Sequence, residues 1–266
     1  MKEALETQKQ RFFYESLSEI LNKRGLKIAN IADETDAVEK RILEEYGSIF
    51  IAEDNVFPPP VCMFTSEEEV SEFQKKAGIA CEIINETKIE LQPNALKAFI
   101  EARKTAKSEN LTITPRGGEE SARRLFSDTL RLWKSRFEPA CEHWLGKGKL
   151  NAEQVEKLKS LPIKEQVKEV LELEKQEIYF NTFFNNSILY SVAAPGTSQH
   201  LSMLAIDIEE YGNKRVREIL AENGWFRTVQ NDIPHFTFLG RKEAELESLG
   251  LKKIEKESGE YWIPNV

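Results

Sequence analysis

The stretch Ala194–Ile208, APGTSQHLSMLAIDI, restricts the fold more than any other part of the chain. A Pro195-Gly196 turn feeds an apolar run that has the composition of a buried strand. The run carries His200 at its entrance and Asp207 near its end. A buried imidazole and a buried carboxylate need partners, because an unpaired polar group inside a protein costs on the order of 1–3 kcal/mol. The chain must therefore bring other polar side chains to this strand. By period-two alternation, Met203, Ala205 and Asp207 are expected on one strand face.

A complementary segment lies downstream, in NDIPHFTFLG. His235 opens a second apolar strand and Asp232 stands three residues before it. Pro234 is expected to hold Ile233 extended and to fix the spacing of Asp232 and His235. Two histidines and one aspartate are a valid zinc set. Three protein ligands with a fourth position open is the catalytic pattern, and a spare carboxylate beside it is a candidate general base. Spacing alone leaves His200, Asp207 and His235 open between this reading and that of ordinary paired polar groups. The third histidine, His143, falls in a long helical pattern beside Trp144 and is read as structural.

The 266 residues suffice for one large domain or two small ones. Apolar residues make up 40% and charged residues 31%, a globular balance. A formal net charge of -8 argues against a phosphate-backbone binder, so no nucleic-acid partner is expected. No apolar run approaches the ~20 residues of a membrane span. Cys62, Cys81 and Cys141 lie far apart, without the spacing of a zinc knuckle or a disulfide framework. The N-terminus, MKEALETQKQRFF, lacks the pattern of a secretory signal. The expected location is periplasmic or extracellular if a leader has been removed, and cytoplasmic otherwise.

Helices are expected over 3–23, with Phe12, Phe13, Leu17, Ile20 and Leu21 as its stripe, and over 36–46. Ser48–Ala52 and Val61–Phe64 are strand-like, around Phe57-Pro58-Pro59-Pro60. Ser66 with Glu69 forms a capping box for another helix. Strand character returns near 82–92, then a helix over 93–107 and a short strand over Leu111–Thr114. A long helix is expected over about 119–145, then helices over 151–161 and 162–180, with Pro162 as the first residue of the latter. The last third reads as strands 203–208, 235–239 and 260–264, with a helix over 213–223 ended by Gly224.

PGTSQHLSMLAID resembles the Ser-x-His-x-x-Gly-x-Ala-x-Asp signature of the VanY-like zinc D-Ala-D-Ala carboxypeptidases. Ser198, His200, Ala205 and Asp207 fit it. DIPH stands where that family has Glu-x-x-His, and LTITPRGGEESARRLF resembles its segment in which a strand delivers an arginine ahead of a helix. LQPNALKAF is also similar, and the likeness covers about residues 85–241. The resemblance implies an α+β fold with a small, mainly antiparallel sheet carrying the zinc site, packed by helices. It implies a peptidase-like domain over 85–266 with a helical insertion at about 119–180, preceded by a region, 1–84, packed on the core.

The resemblance further implies that His200, Asp207 and His235 hold Zn2+ and that Asp232 activates water. Arg116 would meet the substrate carbonyl, and Ser198 would line the substrate subsite. The activity implied is hydrolysis of D-amino-acid-containing cell-wall peptides through a zinc-activated water. The partner implied is a peptidoglycan stem peptide or another short D-amino-acid peptide. A related peptidoglycan endopeptidase and a non-hydrolytic zinc-containing module binding wall peptides or a protein are the alternatives. Two positions depart from the pattern: Met203 replaces the glycine, and Asp232 replaces the glutamate with a side chain shorter by about 1.5 Å.

Overall fold

A computed structural model describes residues 12–266. Helix α1 (Phe13–Lys23) buries Phe13, Leu17, Ile20 and Leu21, while Phe12, assigned to the same stripe, is exposed. The part of that expected helix before residue 12 lies outside the described residues. Helix α2 (Ala37–Tyr46) starts at Asp36, whose carboxylate accepts from the Val38 and Glu39 amides. The strand expected over Ser48–Ala52 is instead a 3-10 turn, Gly47–Ile51, with all five residues buried. Complete burial removes the alternation that separates a strand from a buried helical turn. Val61–Phe64 is likewise irregular, held by Cys62 N–H to Ile31 C=O and Phe64 N–H to Gly196 C=O, both 2.9 Å.

Helix α3 (Glu67–Ala77) is capped by Ser66, whose hydroxyl accepts from the Glu69 amide. Glu69 reaches one residue further back than a capping box requires, to the Thr65 amide at 2.7 Å. The strand character near 82–92 resolves into an antiparallel hairpin, β1 (Ala80–Ile84) with β2 (Thr87–Leu91). Helix α4 (Pro93–Ser108) follows, with Pro93 in its first turn. Leu111–Thr114 forms no strand. It lies beside the polypeptide at Asp207–Glu210 through one bridge, Pro115 with Ile208, and is tied by the Glu210 carboxylate to Thr112 and Thr114.

The long helix expected from residue 119 begins later. A 3-10 turn, Gly118–Ser121, and an extended step precede α5 (Phe126–Gly146). Helices α6 (Ala152–Ser160) and α7 (Ile163–Glu174) complete this helical stretch, with Pro162 in the capping position rather than inside α7.

The sheet that carries the site has three antiparallel strands in the order β3 (Ala205–Asp207), β5 (His235–Phe238), β4 (Trp225–Phe226). Its register sets Asp207 opposite His235 and Ala205 opposite Thr237. Helix α8 (Lys214–Glu222) connects β3 to β4, and a hairpin of β6 (Leu251–Lys256) with β7 (Gly259–Pro264) ends the chain. The fold is therefore α+β, with small antiparallel sheets packed by helices. One cluster of buried side chains runs from Phe13, Leu17 and Tyr46 through Phe99 and Trp133 to Trp225, Phe236 and Trp262. Among the described residues, no helix is long and apolar enough to cross a membrane.

Two local features aim the site. Gly196 adopts φ +81°, and a Cβ there would overlap the Phe64 carbonyl. Only glycine lets the turn sit this close to Phe64. Met203 ends the 3-10 turn Gln199–Ser202 in a left-handed conformation, φ 59° and ψ 27°, so it precedes the strand instead of sharing a face with Asp207. A glycine pattern at this position has a backbone reason. The Met203 side chain leaves the cleft and packs, fully buried, with Phe64, Val70, Phe73, Phe126 and Leu201.

Candidate metal centre

Antiparallel pairing of β3 with β5 places Asp207 directly across from His235. The turn after Gly196 then swings His200 over the end of the sheet. The result is a triangle of potential ligand atoms. His235 Nδ1 lies 3.0 Å from His200 Nε2 and 3.3 Å from Asp207 Oδ1, and His200 Nε2 lies 3.3 Å from the same oxygen. Both imidazoles are buried, at 1% and 3% exposure. These three residues could hold a metal ion. A tetrahedral ion with bonds of about 2.0–2.1 Å sets its ligand atoms about 3.3–3.4 Å apart, which is the size of this triangle.

The chemistry of the donor set agrees with its size. His200 Nδ1 lies 2.8 Å from the Ala122 carbonyl, which only accepts, so Nδ1 carries the proton. The Nε2 lone pair is thereby turned toward Asp207 and His235. Burial, and then the Arg124 charge, push the His200 pKa down to about 4, so the imidazole is neutral near pH 7. Burial works to raise the Asp207 carboxyl, but the histidines in their protonated form, by charge and by hydrogen bonding, overcome it and hold the carboxyl well below its usual range. An anionic oxygen and a neutral imidazole are the forms in which these residues bind metals.

Arg124 completes the inner wall. Its Nη2 donates to Asp207 Oδ2 at 2.9 Å, leaving Oδ1 for the histidines, and its Nε donates to the Glu120 carbonyl at 3.0 Å. The segment between Gly117 and α5 thus supplies both the Ala122 carbonyl for His200 and the guanidinium for Asp207.

The arginine expected here, Arg116, is elsewhere. Its backbone N–H donates to the Asp207 carbonyl at 2.8 Å, but its side chain is 45% exposed. The guanidinium lies 3.9 Å from Glu209 and over the Tyr211 ring, outside the cleft. The bridge at Pro115 turns the side chain of the next residue outward. Arg124 lies in the same quoted segment, in the Ala122-Arg123-Arg124 step, and sequence spacing does not choose among three arginines. Arg123 goes to Glu90, at 2.8 Å.

The cluster forms the floor of a cleft of about 240 Å³, whose walls include Ser198, Thr129, Arg136, Val192 and Asp232. Ser198 and Asp232 are thus in the same cleft as the two histidines and Asp207. Pro234 lies in a tight turn that fixes the spacing of Asp232 and His235. His235 N–H closes a turn onto the Asp232 carbonyl at 3.4 Å. The residue is exposed, while its carboxyl is crowded by protein. That loss of water, reinforced by Asp207 and opposed by His235, raises its pKa. Its side chain makes no hydrogen bond or ion pair among the described residues. His143 is remote from all of this, stacked on Phe184 at 4.1 Å.

No family model and no curated protein matches this chain.

Proposed function

We propose that this protein is a zinc-dependent peptidase that hydrolyses D-amino-acid-containing cell-wall peptides, as a D-Ala-D-Ala carboxypeptidase does. The observation that carries the proposal is the triangle of His200, Asp207 and His235, open on one side to a cleft that also holds Asp232 and Arg124. The substrate class rests on the likeness of PGTSQHLSMLAID and DIPH to the VanY-like signature. His200, Asp207 and His235 would hold zinc. When bound, zinc supplies a Lewis acid that polarises the scissile carbonyl. Asp232, in the wall of the same cleft, takes the proton of the attacking water and returns it to the leaving amine. Arg124 orients Asp207 and offers its remaining N–H groups to the carbonyl oxygen, the part assigned to Arg116 on sequence grounds. Ser198 contacts the peptide from the cleft wall.

The test is hydrolysis of D-Ala-D-Ala-ended peptides by fully zinc-loaded protein. Wild type is expected to turn over, and Asp232→Asn to lose turnover while retaining zinc. One observation favours a second reading. The Asp232 side chain is shorter than the glutamate of the pattern, and a misplacement of ~1 Å can cost on the order of 10² in rate. Wild-type protein that binds wall peptides without cutting any of them would replace the peptidase with a zinc-containing binding module. Cleavage only within the stem peptide would make it an endopeptidase.

A further inference from the structure

Gln199, the residue between Ser198 and His200, lines the same cleft and touches the metal cluster through a side chain that is no ligand. Gln199 is 4% exposed. Its amide nitrogen donates to the Tyr46 carbonyl at 2.8 Å and lies 3.3 Å from the Ser48 hydroxyl. A carbonyl only accepts, so the amide cannot be flipped, and its oxygen must face the other way. That oxygen lies 2.9 Å from His235 Nε2. It also accepts from the Thr237 hydroxyl, which in turn is 2.7 Å from Thr228. An amide oxygen cannot donate, so the proton shared with His235 resides on Nε2.

This determines what the other His235 nitrogen can do. With the proton on Nε2, Nδ1 presents a lone pair to His200 Nε2 and Asp207 Oδ1, the only tautomer in which neutral His235 is a ligand at this point. We propose that Gln199 is a positioning residue of the metal centre. It selects the metal-ready tautomer of His235 and is itself set by the Tyr46–Ser48 segment. The turn between α2 and the following 3-10 residues is thereby part of the metal site, although it contributes no ligand. The two histidines are held from behind by different means: His200 by a backbone carbonyl, His235 by a side chain that substitution can remove. The inference rests on the metal reading above for its consequence, but not for the tautomer itself.

The experiment uses the full chain, metal-free, with nitrogen-15-labelled histidine, followed by zinc titration against a competing chelator. In metal-free wild type, the ring-nitrogen shifts of neutral His235 are expected to show the proton on Nε2. In Gln199→Met, which keeps the chain length and removes both amide groups, His235 is expected to populate both tautomers while His200 keeps its own. Zinc affinity is expected to fall about tenfold or more, the usual effect of losing such a supporting contact. Neutral His235 with its proton on Nδ1 in wild type overturns the proposal, and does so even if Gln199→Met fails to fold. Zinc affinity within twofold of wild type in a folded Gln199→Met also overturns it, with the metal reading intact. A wild type with the expected tautomer that takes up no zinc leaves the role of Gln199 on His235 standing and removes the metal reading.

Discussion

The two arginines that flank the candidate centre separate backbone from side-chain contributions. Arg116 reaches Asp207 only through its amide, while Arg124 grips the carboxylate. Arg124→Ala is expected to lower kcat/KM by about 10²–10³, the cost of removing a preorganised donor in a cleft. Arg116→Ala is expected to stay within a few-fold of wild type, since it loses only an exposed contact to Glu209 and Tyr211. Steady-state kinetics on both variants checks this, and an Arg116→Ala defect as deep as that of Arg124→Ala would restore the sequence-based assignment. The depressed His200 pKa makes a second prediction, for the zinc-free protein. Unfolded, this histidine titrates near 6.5, and folded near 4. Between those values the unfolded chain takes up a proton that the fold refuses, so stability falls as pH falls from about 6.5 to about 4. The loss is on the order of 3 kcal/mol for this group. Asp207, with its folded pKa below the usual value, extends the loss to lower pH. Urea unfolding at pH 7, 5.5 and 4.5 measures the effect, and His200→Asn should flatten the pH dependence. An equally steep curve in that variant would show that His200 is not its source.

At the level of elements, the loop from Ala194 to Ser198 and the start of β3 act as one device. Gly196 lets the turn press against Phe64, and the 3-10 turn that follows delivers His200. Gly196→Ala is expected to destabilise the protein by about 2–5 kcal/mol, from left-handed strain and a backbone overlap together. Zinc affinity is expected to fall with it, because His200 is four residues away. Chemical denaturation and zinc titration check both, and a shift below 0.5 kcal/mol would contradict the packing described for the turn. This device was partly legible in the sequence. Pro195-Gly196 signals a turn, and His200, Asp207 and His235 announce themselves by chemistry and by their place in apolar runs. What could not be read was orientation. The left-handed backbone at Met203 and the outward turn after Pro115 depend on contacts from distant segments. Ser48–Ala52 looked like a strand because five consecutive buried residues carry no period. Strand β6 is hidden in the sequence because Leu251–Lys256 is rich in lysine and only Leu251 is buried. The two residues of β4 give no pattern at all.

For the whole molecule, the candidate metal centre is a meeting point of segments far apart in sequence. The end of α2 and the 3-10 turn that follows it hold Gln199, the segment before α5 supplies Ala122 and Arg124, and the 3-10 turn at His200 and two strands supply the ligands. Such a site is absent from the unfolded chain, so ion binding is coupled to folding. At a free zinc concentration of 100 times Kd, stabilisation of about 2.7 kcal/mol is expected. The most direct measurement is zinc content and X-ray absorption on protein purified without added metal and then loaded with one equivalent. One zinc per chain is expected, bound by two imidazole nitrogens and carboxylate oxygen at about 2.0–2.2 Å, and lost in His200→Ala and in His235→Ala. Zinc retained equally in both variants, or none taken up by wild type, would contradict it.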